Sequence, residues 1–86
     1  MNQQLIEVSY GERDGERQLL IETDERAVVL SQPLKGYGMI VLSTVSEGTE
    51  LERYYGLDMA IDHAAEFLRV PKRTISVPES AQDMGI

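Results

Sequence analysis

The stretch ERQLLIETDERAVVLSQPLKGYGMIVLSTV, residues 16–45, decides the fold. It carries three apolar triplets, Leu19-Leu20-Ile21, Val28-Val29-Leu30 and Ile40-Val41-Leu42. Each is rich in β-branched or large aliphatic residues and is too short for a helix, so each reads as the centre of a strand. Asp24-Glu25 separates the first two. Pro33, which cannot donate to a ladder, and the glycines at 36 and 38 separate the second from the third. The spacing predicts strands over 16–23, 27–31 and 38–45, with turns at 24–25 and 32–37. Connections this short join antiparallel neighbours. The triplets are continuous rather than alternating, which implies that both faces of the sheet are covered.

Upstream, QQLIEVSY (3–10) reads as a first strand. GERDG (11–15) follows as a turn, and its Asp14-Gly15 is a strong hairpin signal because glycine adopts positive φ without steric cost. Downstream, SEGT (46–49) is another turn. Thr49-x-x-Glu52 fits a capping box that would start a helix at Glu50. Running a helix back that far would put Glu50 and Arg53 on its apolar side and Gly56 in its interior. ELERYY (50–55) is therefore read as a fifth strand, and the helix as 57–69. On a helical wheel, Leu57, Ala60, Ile61, Ala64, Phe67 and Leu68 share one side, and Asp58, Asp62, Glu66 and Arg69 share the other. TISV (74–77) reads as a short strand. PESAQDM (78–84) reads as a terminal helical turn, with Pro78 in its first turn and Gly85 at its C′ position. The expected fold is α+β: an antiparallel meander of four or five strands, one amphipathic helix and a short C-terminal helical turn.

The 86 residues, 9.7 kDa, fit a single domain over 1–86. Cysteine is absent, which excludes disulfides, thiolate metal sites and thiol nucleophiles. No apolar run approaches the ~20 residues of a membrane span. MNQQLIEV lacks the basic flank and apolar run of a signal peptide, so the expected compartment is the cytoplasm. Fifteen Asp and Glu against eight Lys and Arg give a net charge of −7. That charge opposes binding to nucleic acid or to acidic membranes. Only Lys35 and Lys72 are lysines, and acidic, lysine-poor surfaces suit a cytoplasm of high salt, where screening makes self-repulsion cheap.

One short helix covers one face of such a sheet. The simplest cover for the other face is a second copy of the chain, giving a homo-oligomer, a dimer or tetramer, through the sheet. The competing arrangement is a sheet curled on itself as a small barrel.

Candidate sites are sparse, and no residues are assigned a catalytic role. Arg53, Tyr54, Tyr55 and His63 are candidate ligand-binding residues, since exposed Tyr and Arg anchor binding surfaces; Tyr10 and Tyr37 sit at turn edges and could join them. The bland alternative packs one tyrosine under the helix and the other over a sheet edge. Asp62, His63 and Glu66, with Asp58, are weak metal candidates, because one helix supplies at most two good ligands and the chain has a single histidine. The bland reading is a solvated acidic face with one surface histidine, which is what charge runs on amphipathic helices usually mean. Lys35-Gly36-Tyr37-Gly38 lacks the order of a phosphate-binding loop, and no serine sits in a nucleophile elbow. No cofactor is expected.

Residues 64–84 resemble a degenerate helix-turn-helix, with Arg69, Lys72 and Arg73 as candidate nucleic-acid contacts. Arg69 stands where the turn glycine is usual, and Pro78 falls inside the would-be recognition helix.

ELERYYGLDMAIDHAAEFL, followed by VPESAQDMGI, resembles small uncharacterised proteins of halophilic archaea. The resemblance covers roughly the last 40 residues closely and the strand region in layout. It implies no assigned activity and no site residues. A fainter similarity is to the prokaryotic domain-of-unknown-function family 1805, whose helix also follows its sheet. Arg53-Tyr54-Tyr55-Gly56 stands where that family has Cys-Gly-Tyr. The function expected is that of a non-catalytic, self-associating binding or interaction protein. The alternatives are a DNA-binding regulator using 64–84 and a small metal-dependent enzyme.

Overall fold

The computed structural model describes residues 6–35 and 38–85. Five strands form one antiparallel sheet in sequence order: β1 (Glu7–Arg13), β2 (Glu16–Glu22), β3 (Ala27–Pro33), β4 (Ile40–Thr44) and β5 (Glu50–Tyr54). The helix α1 (Leu57–Leu68) follows, then two single 3-10 turns at Lys72–Thr74 and Glu79–Ala81. This is the expected α+β meander, with the fifth strand present. The sheet is open, with β1 and β5 at its edges, and is not curled into a barrel.

The local chemistry explains most of the boundaries. Asp14 and Gly15 both have positive φ, 54° and 77°, which makes a two-residue type I′ turn matched to strand twist. The turn expected over 11–15 is therefore confined to those two residues, and β1 runs on to Arg13, opposite Glu16. Thr23 closes the next turn: its hydroxyl accepts from the Glu25 and Arg26 amides. Gly48, with φ 67°, closes the β4–β5 hairpin through its amide to Thr44. Residues 3–5 of the first expected strand lie outside the described residues, as do Gly36 and Tyr37 of the 32–37 turn. α1 ends at Leu68 because Arg69 adopts the left-handed conformation (φ 60°) as its C-cap, donating to the Ala65 and Glu66 carbonyls.

One expectation fails. Residues 74–77 are not a strand. The Thr74 amide and hydroxyl both donate to the Pro71 carbonyl, and the Ile75 amide donates to Lys72. The 3-10 turn satisfies the backbone locally, so no ladder partner is needed. The 78–84 reading is correct in kind, but its regular part is a single 3-10 turn over 79–81.

The core lies between one sheet face and α1 with the C-terminal turns. Leu19, Leu30 and Leu42 stand side by side across β2, β3 and β4, and are at most 2% exposed. Ile21, Val28 and Ile40 share their face, opposite Ala60, Ile61, Ala64, Ala65 and Leu68 of the helix. Three alanines on the buried side let α1 approach closely across β3, β4 and β5. Over β2 the cover is the C-terminal segment. There Arg17 donates to the Ser80 carbonyl and pairs with Asp83, while its guanidinium lies over the Tyr10 ring. The Arg17 pairing holds the Asp83 carboxyl below its ordinary range. Gln32, buried, ties the two ends of the layer together. Its amide nitrogen donates to the Gly38 carbonyl and its oxygen accepts from the Gly85 amide. Ala81 and Met84 are thereby buried.

The opposite sheet face is different. By strand alternation it carries Leu20, Val29 and Val41, with Ser9, Gln18, Ala27, Ser31 and Ser43 around them. Leu20 and Val29 are direct partners across β2 and β3. The three aliphatic side chains are only half-buried, and among the described residues no helix or turn lies over them.

Candidate functional site

The candidate residues around β5 divide between the two sides of the strand. Tyr54 points to the helix side, is 8% exposed, and stacks on His63 with ring centroids 4.7 Å apart and planes inclined by 18°. Its hydroxyl donates to Glu52 at 2.7 Å. Arg53, one residue earlier and so on the other side, is held by Glu50 through two hydrogen bonds of 2.9 and 3.1 Å. Tyr55 is 81% exposed and lies just past the end of the strand. Thus Tyr54 and His63 come together, while Arg53 and Tyr55 do not join them. The packing alternative for the tyrosine pair describes Tyr54; Tyr55 stays open.

Tyr54 and His63 line a shallow groove of about 430 Å³ with Leu42, Leu51, Glu52, Glu66 and Phe67. Glu52, Leu51 and Phe67 were not legible as site residues. A register shift at Leu42/Ser43 sets Leu51 and Glu52 beside the groove, and a bulge leaves no mark in a period-two pattern. Desolvation pushes the Tyr54 phenol from 10.0 up to about 12, aided by its bond to Glu52 and by the Glu66 charge. Because the folded value lies above the unfolded one, Tyr54 contributes its full share of stability below pH 10 and loses it as the pH rises toward about 12. A phenolate absorbance titration should show one tyrosine ionising late, together with unfolding. Tyr54→Phe should remove that late step, and an early ionisation of all tyrosines would contradict this account.

The remaining candidates are engaged or dispersed. Lys72 bridges Asp58 at 3.0 Å and Asp62 at 2.9 Å, and these carboxylates raise its ammonium above its ordinary value. Asp62 is thus spent on an ion pair rather than aimed with His63 and Glu66. Among the described residues no group of three or more His, Asp or Glu side chains is placed to hold a metal ion. Arg69 is the exposed helix cap, Lys72 is neutralised, and Arg73 is exposed on a 3-10 turn. Over 64–84 the regular structure is the end of α1 and two 3-10 turns, so the second helix of a helix-turn-helix is not there. No described helix is long and apolar enough to cross a membrane.

No curated protein and no solved structure matches the chain. A family model does match, over residues 1–86, and its description is a family of unknown function, DUF7111. A match along the whole length, on a meander closed by one helix, places this chain in the DUF7111 family.

Proposed function

We propose that this chain is a non-catalytic, self-associating binding or interaction protein of a high-salt cytoplasm, within a lineage of halophilic archaea. The single observation that supports it is the second sheet face. Leu20, Val29 and Val41 form an aliphatic strip that nothing in the described chain covers. A second copy fits this face because the strip is bordered by serines and Gln18, which match themselves across a two-fold axis as readily as they meet water. The faint similarity to family 1805 belongs to the same reading and adds no residues to it.

Light scattering after gel filtration should return an assembly of two or four chains in molar salt. Val29→Glu, which places a carboxylate in the centre of the strip, should reduce that mass at least twofold while leaving the circular dichroism unchanged. A folded monomer in both wild type and variant rejects the proposal. The charge of −7 per chain sets the salt dependence. Raising salt from 0.1 M to 1 M shortens the screening length from ~10 Å to ~3 Å, so the assembly should tighten as salt rises. Loosening with salt would show that the contact is ionic and not this aliphatic strip.

A further inference from the structure

We infer that β1 pairs with β1 of a second copy about a two-fold axis at Tyr10, making one continuous ten-stranded sheet. This deepens the self-association reading by naming a second contact, distinct from the open face.

The hairpin sets which residues of β1 face outward. A two-residue type I′ turn makes Arg13 and Glu16 a hydrogen-bonded pair, and such pairs alternate along the ladder. Residues 7, 9, 11 and 13 therefore spend their amides and carbonyls on β2. Residues 8, 10 and 12 aim theirs outward, where no described strand receives them. Antiparallel pairing of β1 with itself about Tyr10 sets Val8 opposite Glu12 of the other copy and Tyr10 opposite Tyr10. All three outward-facing residues then find ladder partners. It is the register that pairs the whole of Glu7–Arg13 with itself.

Charge selects the same register. Glu7 lies beside Glu22 across β1 and β2, two carboxylates in adjacent positions on one face. Like charges directly opposite destabilise a ladder. Pairing about Tyr10 brings Arg13 of the other copy next to Glu7, twice over by symmetry, and in the closer, non-hydrogen-bonded kind of pair. Ser9 meets Gly11, so nothing bulky obstructs the approach. The other edge does not offer this. β5 pairing with itself about its centre would oppose Glu52 with Glu52, and the register shift at Leu42/Ser43 distorts its ladder.

Area points to a second contact as well. A five-stranded face about 20 Å wide and 20 Å long offers roughly 400–500 Å² per copy, or about 800–1,000 Å² for the pair, so face packing alone falls short of the ~1,200 Å² total at the lower end of a standard interface. Two β1-paired dimers stacked through their open faces close as a tetramer.

The test uses charge reversal in the Val29→Glu background, where the face contact is removed and only the β1 contact remains. The expected species is a dimer. Glu7→Arg or Arg13→Glu alone should raise its dissociation constant about tenfold, and the two together should bring it back to within about threefold. Tyr10→Cys, in a chain with no other cysteine, should cross-link to itself under mild oxidation, whereas Glu52→Cys should not. A monomer in the Val29→Glu background with no cross-link at position 10 overturns the β1 contact. It leaves the face contact standing if wild type is still a dimer. An unchanged wild-type mass in Val29→Glu together with a position-10 cross-link sinks the face contact and keeps β1.

Discussion

Leu30→Ala should cost about 3–5 kcal/mol, the upper part of the range for a buried leucine truncated in a core that cannot collapse. Leu30 is 0% exposed at the middle of the middle strand, between Leu19 and Leu42 in one row under the helix. Both neighbours are fixed by the ladder, so the backbone cannot move in to fill the space. A domain of this size holds only about 4–13 kcal/mol in total. The variant should therefore unfold at no more than about three-quarters of the wild-type urea midpoint. Leu30→Met, which conserves volume, should stay within about 1.5 kcal/mol of wild type. Val29→Ala, one residue along on the open face, serves as the control. In the monomer it should cost less than a third as much. Equal losses at 29 and 30 would mean that the two faces are buried alike within one chain.

Gly85→Ala should remove about 2–3 kcal/mol, from two sources acting at one carbon. Gly85 sits at φ +80°, where a side chain is strained. A Cβ there would lie 2.9 Å from the Leu57 amide nitrogen, 3.0 Å from the Tyr55 carbonyl and 3.0 Å from Ile40 Cδ1. Two of these are backbone atoms at the start of α1, which cannot step aside without moving the helix. The relief available is to lift the C-terminal turn, breaking the Gly85–Gln32 hydrogen bond and uncovering Met84. At ~4–8 °C per kcal/mol for a domain of this size, the melting temperature should fall by roughly 10–20 °C. Proteolysis should reach residues 79–84 first. A shift under about 2 °C would show that the C-terminal turns do not hold the sheet.

These two positions show what could and could not be read beforehand. Leu30 was legible: a β-branched, apolar triplet between breakers has one comfortable structure, and the same logic found β2, β3, β4 and the start of α1. The fifth strand was legible for a subtler reason, because a helix over 50–55 would have placed Glu50 and Arg53 on its apolar side. Gly85 was legible only as a helix-ending glycine. Its contact with Leu57 spans 28 positions, and the Gln32 and Arg17 bonds that seat the same segment span 53 and 66. No periodicity reports such a distance. The false strand at 74–77 has the same origin: Thr-Ile-Ser-Val has strand propensity, but the Pro71 and Lys72 carbonyls take up the Thr74 and Ile75 amides locally. Around β5, the pairing of Tyr54 with His63 could be guessed from chemistry, while the parting of Arg53 from them depended on its side of a bulged strand and that of Tyr55 on the strand ending at Tyr54.

The strand order also fixes the sequence in which this molecule can assemble itself. Every strand is laid against the one made just before it, so each hairpin closes a short loop and needs nothing from elsewhere in the chain. The Arg17–Asp83 and Gln32–Gly85 ties are the reverse, spanning 66 and 53 positions. They bear their entropic cost only after the meander and helix exist. The last event of folding is thus the closing of the tail over β2, and the first event of unfolding is its release. Amide exchange at Gly85 and Met84 should therefore run ahead of exchange in β3.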